Sequence, residues 1–90
     1  MNKVELFLEG LQSEHCKSNG LIVERNWTGN VMFSFPQEPK IKFRGEPDRK
    51  LNPDGSLDIM WMDFSGKGGI TSGVHTFNKP FIDSIISTIK

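Results

Sequence analysis

The segment from Leu57 to Phe64 constrains the fold more than any other, because it alternates as a β-strand does and is nevertheless apolar on both sides. Its apolar side chains form two sets of opposite orientation: Leu57, Ile59 and Trp61 on one face, and Met60, Met62 and Phe64 on the other. A strand with two apolar faces belongs inside a sheet that is covered on each side. A chain of 90 residues has little material for two covers, so one cover can be another molecule.

The length and the balance of charges restrict the class of protein. The length predicts one domain, residues 1–90, with a single modest core. Apolar residues make up 36% of the chain and there are 9 glycines, which is usual for a globular protein. The 11 basic and 11 acidic side chains cancel, so no overall field attracts nucleic acid or an anionic membrane.

Cys16 is the single cysteine, which excludes an internal disulfide and a cysteine zinc site and fits a reducing compartment. The residues from Met1 to Glu5 lead into no long apolar run, so we expect neither a signal peptide nor a membrane span. The sequence also lacks a complete catalytic, metal or nucleotide motif. We therefore expect a cytoplasmic protein that is not an enzyme and carries no metal or cofactor.

Apolar residues at helical spacing predict a helix near the N-terminus. The stripe consists of Val4, Phe7, Leu8, Leu11 and His15. Asn2 and Glu5 have the spacing of a capping box, and the sequence Ser18-Asn19-Gly20 predicts a left-handed end at the glycine.

A second apolar stripe predicts a helix at the end of the chain: Phe81, Ile82, Ile85, Ile86 and Ile89. Asn78 can cap this helix. Pro80 falls in the first turn, where the missing N–H costs least.

Two alternating runs, residues 21–27 and 31–35, predict a first hairpin. A three-residue loop gives these pairs: Trp27 with Val31, Arg25 with Phe33, and Val23 with Phe35. A two-residue loop instead sets Asn26 beside Phe33 and Glu24 beside Phe35. We favour the three-residue loop because it gathers the apolar side chains on one face, with Arg25 as the exception.

The sequence Asn52-Pro53-Asp54-Gly55 predicts a type I turn closed by a glycine bulge. That turn would place Leu51 opposite Leu57 and Lys50 opposite Asp58. Residues 40–44 and 70–77 are two further predicted strands. The expected fold is α+β: an N-terminal helix, a four- to five-stranded antiparallel meander and a C-terminal helix, in a two-layer sandwich.

The segment from Asp63 to Gly73 is the closest approach to a ligand-binding motif. Its candidate ligand-binding residues are Ser65, Gly66, Lys67, Gly68, Gly69 and Thr71. Glycine lets backbone N–H groups approach an anion, and Lys67 adds a positive charge. A P-loop has a different spacing and leads into a helix, whereas this segment leads into a predicted strand. It is either a hairpin connection or a site for a nucleotide or another phosphorylated ligand.

The two histidines give no catalytic set. His15 lies on the apolar stripe and is expected to be packed or semi-buried. It points about 100° away from Cys16, so the two do not form a base and nucleophile pair. His75 could face one of three side chains across a hairpin: Asp63, Ser65 or Thr71. No nucleophile-elbow context accompanies them, so we predict no catalytic triad.

The cations Lys40, Lys42 and Arg44 alternate with Ile41 and Phe43, which would place three positive charges on one face of a short strand. Acidic residues interrupt this set. Two interpretations are open: an edge strand that lysines protect against aggregation, or a surface for single-stranded nucleic acid.

The candidate partner-binding residues are Met32, Met60, Met62 and Phe64. Methionine adapts to different shapes, which suits partner surfaces as well as gaps in a core. Either this face is exposed for a partner, or one helix covers each face of the sheet. We expect a protein partner and a homodimer through this surface, with a phosphorylated small ligand or single-stranded nucleic acid as alternatives.

In size and layout alone, the expected fold is similar to the small stand-alone inhibitors, immunity proteins and counter-defence proteins that phages and mobile elements carry. This analogy of architecture implies binding to a protein and assigns no residue.

Overall fold

The computed structural model describes residues 2–26 and 28–90 and has the expected α+β architecture. The helices are α1 (Lys3–Leu11), α2 (Glu14–Ser18) and α3 (Lys79–Ile86), with a final 3₁₀ turn at Ser87–Ile89. The strands are β1 (Ile22–Arg25), β2 (Val31–Ser34), β3 (Ile41–Gly45), β4 (Leu57–Asp63) and β5 (Thr71–Phe77). They form one antiparallel sheet in the order β1-β2-β3-β4-β5. The predicted meander between two helices is confirmed.

The helix caps follow the sequence signals. The Glu5 backbone N–H donates to Asn2 Oδ1 at 2.9 Å, and the Asn2 N–H donates to Glu5 Oε1 at 3.3 Å, which completes the capping box. At α3, the Phe81 N–H donates to Asn78 Oδ1 at 3.0 Å. Gly20 has a φ of 95° and follows the C-cap of α2 in the left-handed region, as predicted.

The N-terminal helix is not continuous, and the prediction for His15 is wrong. Helix α1 ends at Leu11, and Ser13 caps a second short helix by accepting from the Cys16 N–H at 3.2 Å. The interruption changes the helical phase, so Cys16 is buried and His15 is exposed. A cap residue inside an apolar stripe restarts the helix in a new direction.

The first hairpin keeps the predicted faces but not the predicted register. Arg25 pairs with Val31 and Val23 pairs with Phe33, two residues away from the predicted pairing. The cause is Asn26, whose Oδ1 accepts from the N–H groups of Thr28 at 3.1 Å and Asn30 at 3.0 Å. A shift of two residues preserves the faces, because side chains alternate with a period of two. The predicted pairing of Trp27 lies outside the described residues.

The turn at residues 52–55 is confirmed, but the predicted strand pairing on either side of it is wrong. The Gly55 N–H donates to the Asn52 carbonyl at 2.9 Å, and Gly55 has a φ of 87°. Residues 46–56 form an irregular connection, and β4 pairs with β3 and β5 instead of with Leu51 and Lys50. Leu51 packs against the core from this connection.

Both long helices pack on the same face of the sheet. The buried cluster joins residues from α1, α3 and one side of the strands: Val4, Phe7, Leu8, Leu11, Val31, Phe33, Phe43, Leu57, Ile59, Phe77, Ile82 and Ile86. Phe33 and Phe43 stack with ring centroids 5.2 Å apart in its centre. Leu57 and Ile59 belong to this core, so the opposite side chains of β4 point away from both helices. The alternative of one helix on each face is therefore excluded.

Candidate functional site

The face of the sheet opposite the helices, called the open face below, is the candidate site. Strand alternation assigns it every second residue: Ile22, Glu24, Met32, Ser34, Lys42, Arg44, Asp58, Met60, Met62, Ser72, Val74 and Thr76. The ladder pairs Met32 with Arg44, Arg44 with Met60 and Met60 with Val74, so these side chains form one row across four strands. Within residues 2–26 and 28–90, no helix or strand forms a third layer over this row.

The structure brings most of the predicted partner-binding residues onto this face. Met60 and Met62 lie on β4 beside β5, and Met32 lies on β2 with Arg44 between it and Met60. All three are half-buried by their strand neighbours. Phe64 follows directly after β4 and is 52% exposed.

Sequence reasoning missed three exposed apolar side chains near the methionines. Val74 is 61% exposed and pairs with Met60, and Ile22 is 44% exposed on the first strand. Ile70 is 62% exposed just before β5, close in register to Phe64. The alternation of Val74 with polar residues could have assigned it to this face only after the β4–β5 register was known.

Charges on the open face are balanced. Glu24 and Asp58 carry two negative charges, and Lys42 and Arg44 carry two positive ones. Arg44 Nε lies 3.7 Å from Glu46 Oε1, so a neighbouring carboxylate partly compensates its charge.

Asp58 is held in its charged form by hydrogen bonds at the end of the open face. Thr76 Oγ1 donates to Asp58 Oδ1 at 2.6 Å, and Asn52 Nδ2 donates to the same oxygen at 3.2 Å. These bonds, that of Thr76 first, lower the pKa of Asp58 below its ordinary value. The open face therefore keeps its negative charge on this side at neutral pH.

The predicted cationic strand is a central strand of the sheet. Lys42 and Arg44 point to the open face while Phe43 is buried, but Lys40 lies outside β3. The interpretation as an edge strand protected by lysines is wrong, because β3 pairs on both sides. Only two of the three predicted cations share the strand, and one of them has a carboxylate beside it.

The glycine-rich segment connects β4 to β5. It runs from β4 into a strand, as predicted. Ser65 donates its backbone N–H at 2.8 Å and its hydroxyl at 2.6 Å to Asp63 Oδ1, and these bonds lower the pKa of the Asp63 carboxyl. The donors of Ser65 thus already bind a carboxylate and are not free to bind a phosphate. This arrangement favours a hairpin connection over a phosphate site.

The remaining predicted ligand-binding residues are exposed. Gly66, Lys67, Gly68 and Gly69 form the tip of the connection, and Thr71 begins β5. Gly69 has a φ of 119°, which favours glycine at that position for backbone reasons alone.

The structure does not place His75 in a catalytic set with Asp63 and Ser65. His75 is on the helix side, pairs with Ile59 and has its ring centroid 4.5 Å from that of Phe77. It therefore lies beside an aromatic ring and not beside Asp63 or Ser65. Within residues 2–26 and 28–90, no group of three metal-ligating side chains is close enough to hold an ion.

Two open grooves lie on the helix side and share Phe35 and Phe81. One, of about 200 Å³, is bordered by Cys16 and Leu21. The other, of about 520 Å³, is bordered by His75. Polar side chains border both grooves, but Asn19 Nδ2 donates to the His15 carbonyl oxygen at 2.7 Å, and Asn78 Oδ1 accepts from the Phe81 N–H at 3.0 Å.

No family model, curated protein or solved structure matches this chain. Among the helices described here, none has the length and apolar character needed to cross a membrane.

Proposed function

We propose that this protein is a small non-enzymatic binding protein that docks a protein partner on the open face. The observation that supports this proposal is the placement of both long helices on the other side of the sheet. Among the residues that the structure describes, no helix or strand covers the half-buried Met32, Met60 and Met62, and Val74 and Phe64 are exposed beside them. Exposed apolar surface of this kind is typical of interaction sites.

The chemistry of the open face favours a protein over nucleic acid. A nucleic-acid surface needs an excess of positive charge to replace counterions, whereas this face balances two cations with two carboxylates. Methionine and valine provide adaptable apolar contact, and the surrounding charges provide orientation. The matching partner surface is apolar in its centre and carries charges of both signs at its rim.

A protein of this size with one interaction face would act by occupying a surface of its partner. We propose an inhibitor of another protein, in the manner of immunity and phage counter-defence proteins, acting in the cytoplasm. The open face carries a pocket of about 10 Å³ between Ile22, Met32 and Lys42, which is too small for a substrate. Tight binding alone is sufficient for inhibition.

The double substitution Met60→Lys with Met62→Lys tests this proposal. Both side chains point away from the core, so the variant should fold, while two buried ammonium groups would oppose docking. We expect binding to weaken by about a hundredfold or more, roughly 2.8 kcal/mol. Proteins captured from native lysate by the wild type would be identified by mass spectrometry and then titrated against each variant.

Ile89→Lys provides the matched control, because Ile89 is 41% exposed and lies outside the open face. A partner of the open face binds the control as it binds the wild type and protects Met60 and Met62 from oxidation. A captured protein that binds the double variant and the wild type equally well would contradict the proposal.

A further inference from the structure

Strand β5 is a long and unprotected edge of the sheet. Five of its seven residues are exposed, and only Phe77 is buried. The strand contains neither a charged residue nor a proline. Proteins usually protect such edges with charges, prolines or bulges, because the free N–H and C=O groups pair readily with another strand.

The opposite edge of the same sheet is protected. Strand β1 has only four residues and carries Glu24 and Arg25. The Arg25 guanidinium reaches across to α1, where Nη2 lies 3.5 Å from Glu9 Oε1 and 3.4 Å from Gln12 Oε1. The two edges of one small sheet therefore differ in length, charge and cover, and β5 is the edge available for pairing.

We propose that β5 pairs antiparallel with β5 of a second copy of this chain, about a two-fold axis near Val74. Val74 is the central residue of Thr71–Phe77. A two-fold axis there places Val74 beside its counterpart and Ser72 beside Thr76, both favourable cross-strand pairs. No like charges meet, because the strand is uncharged.

The helix side of the strand is also self-complementary. The same axis places His75 of one copy opposite Gly73 of the other. Gly73 has no side chain, and the ring of Trp61 covers the position where a Cβ would lie. The imidazole of the second copy can therefore lie beside Trp61 without meeting a side chain at Gly73.

This pairing has a geometric consequence for the open face. An antiparallel contact between equal edge strands has its two-fold axis perpendicular to the sheet, so both copies keep their helices on one side. The product is a continuous sheet of ten strands with both sets of methionines on the other side. The role of this dimer rests on the proposed function: the dimer would present two open faces side by side, and so a doubled docking surface, to the partner.

The expected affinity of the dimer follows from the surface area that the strand pair would bury. A single seven-residue strand pair is at the low end of specific interfaces, below about 1,200 Å². We therefore expect a dissociation constant in the micromolar range or weaker, and a dimer whose population depends on protein concentration.

Sedimentation velocity over about a hundredfold range of concentration measures this equilibrium. We expect the wild type to shift from a 10.2 kDa monomer toward a dimer of twice that mass. Val74→Lys should stay monomeric, because two ammonium groups would meet at the axis. A mixture of Val74→Lys and Val74→Glu should recover the dimer, since opposite charges then face each other.

Ile22→Lys is the matched control, because Ile22 lies on the same face at the protected edge and is 44% exposed. It should dimerise as the wild type does. A wild type that remains monomeric throughout, or a Val74→Lys variant that dimerises normally, would overturn the proposal. Circular dichroism spectra establish that each variant is folded.

A cysteine at the axis gives an independent covalent test. Opposed residues of an antiparallel pair have Cα atoms about 4.5–5.5 Å apart, which a disulfide can bridge. Val74→Cys should form a covalent dimer under mild oxidation, whereas Ile22→Cys should not. Equal cross-linking of both variants would show random collision and contradict edge pairing.

The edge dimer and the partner site can be tested separately. Met60→Lys with Met62→Lys should still dimerise, because neither side chain lies on β5. Val74 also belongs to the open face, so Val74→Lys should weaken partner binding as well as the dimer, whereas the double methionine variant should weaken partner binding alone. If the edge dimer is wrong, the wild type stays monomeric. If the partner site is wrong, the variant with Met60→Lys and Met62→Lys binds the partner as the wild type does.

Discussion

At the scale of single residues, a few polar side chains decide where the elements begin and how they meet. Asn2 and Asn78 cap the two long helices, and Asn26 shapes the first hairpin. Asp83 links the beginnings of these helices, because its carboxylate accepts from Lys3 Nζ and from Lys79 Nζ, each at 2.8 Å. These bonds, Lys3 first, lower the pKa of Asp83 from 3.8 to about 2.

Asp83→Asn should reduce the acid sensitivity of folding. A carboxylate with a lowered folded-state pKa stabilises the fold above its unfolded pKa of 3.8, and this contribution disappears as pH falls to about 2. The variant lacks the titrating group, so its free energy of unfolding should be lower than that of the wild type at neutral pH. The difference should shrink across this pH window.

Denaturant unfolding at a series of pH values measures this difference. Asp48→Asn is the control, because Asp48 is an exposed carboxylate in the β3–β4 connection. A difference between Asp83→Asn and wild type that stays constant from neutral pH to the acid limit would show that Asp83 does not supply the linkage.

At the scale of elements, the contact between α1 and α3 depends on the absence of a side chain at Gly10. A Cβ at this position would collide with the Ile85 carbonyl group, whose carbon lies 2.9 Å from it. Thr88 Oγ1 also donates to the Gly10 carbonyl oxygen at 3.2 Å. The two helices can pack this closely only with glycine here.

Gly10→Ala should destabilise the fold although alanine favours helices. The helix preference is worth about 1 kcal/mol, whereas a collision with backbone must separate the helices and costs about 1–3 kcal/mol or more. Gly68→Ala is the matched control, because no atom lies within 4 Å of its added Cβ. Urea denaturation should show a net loss for Gly10→Ala and a change within about 0.5 kcal/mol for Gly68→Ala. Equal stability of the two variants would contradict the packing argument.

At the scale of the whole molecule, the two faces of the sheet have different roles. The helix side contains the core, in which six phenylalanines contact one another: Phe7, Phe33, Phe35, Phe43, Phe77 and Phe81. The open face contains the three methionines that the structure describes. Stability and binding should therefore be separable by chemistry that acts on methionine alone.

Oxidation of Met32, Met60 and Met62 by peroxide should leave the protein folded and abolish partner binding. Sulfoxide makes an apolar docking surface polar, whereas the core loses no contact because these side chains point away from it. Mass spectrometry counts the added oxygens, and near-ultraviolet circular dichroism reports the core. A variant with leucine at all three positions should bind and resist peroxide. Loss of the near-ultraviolet signal on oxidation would place the methionines inside the fold.

The local signals in the sequence determined the elements. The capping box of Asn2 and Glu5, the cap at Asn78 and the turn at Gly55 each act through neighbours within a few residues, so their geometry could be predicted without the fold. The alternation in Leu57–Phe64 likewise separated Leu57 and Ile59 from Met60 and Met62. The α+β meander follows from the order of these elements.

Only the tertiary structure decided the relations between elements. Nothing in the apolar stripes of α1 and α3 states which face of the sheet each covers, because either face of β4 offers apolar contact. The register of the first hairpin depended on the side chain of Asn26, and the central place of β3 depended on long-range pairing with β2 and β4. Packing both helices on one side buries Phe33 and Ile59 together in a single core, and that choice leaves the methionines outside the core.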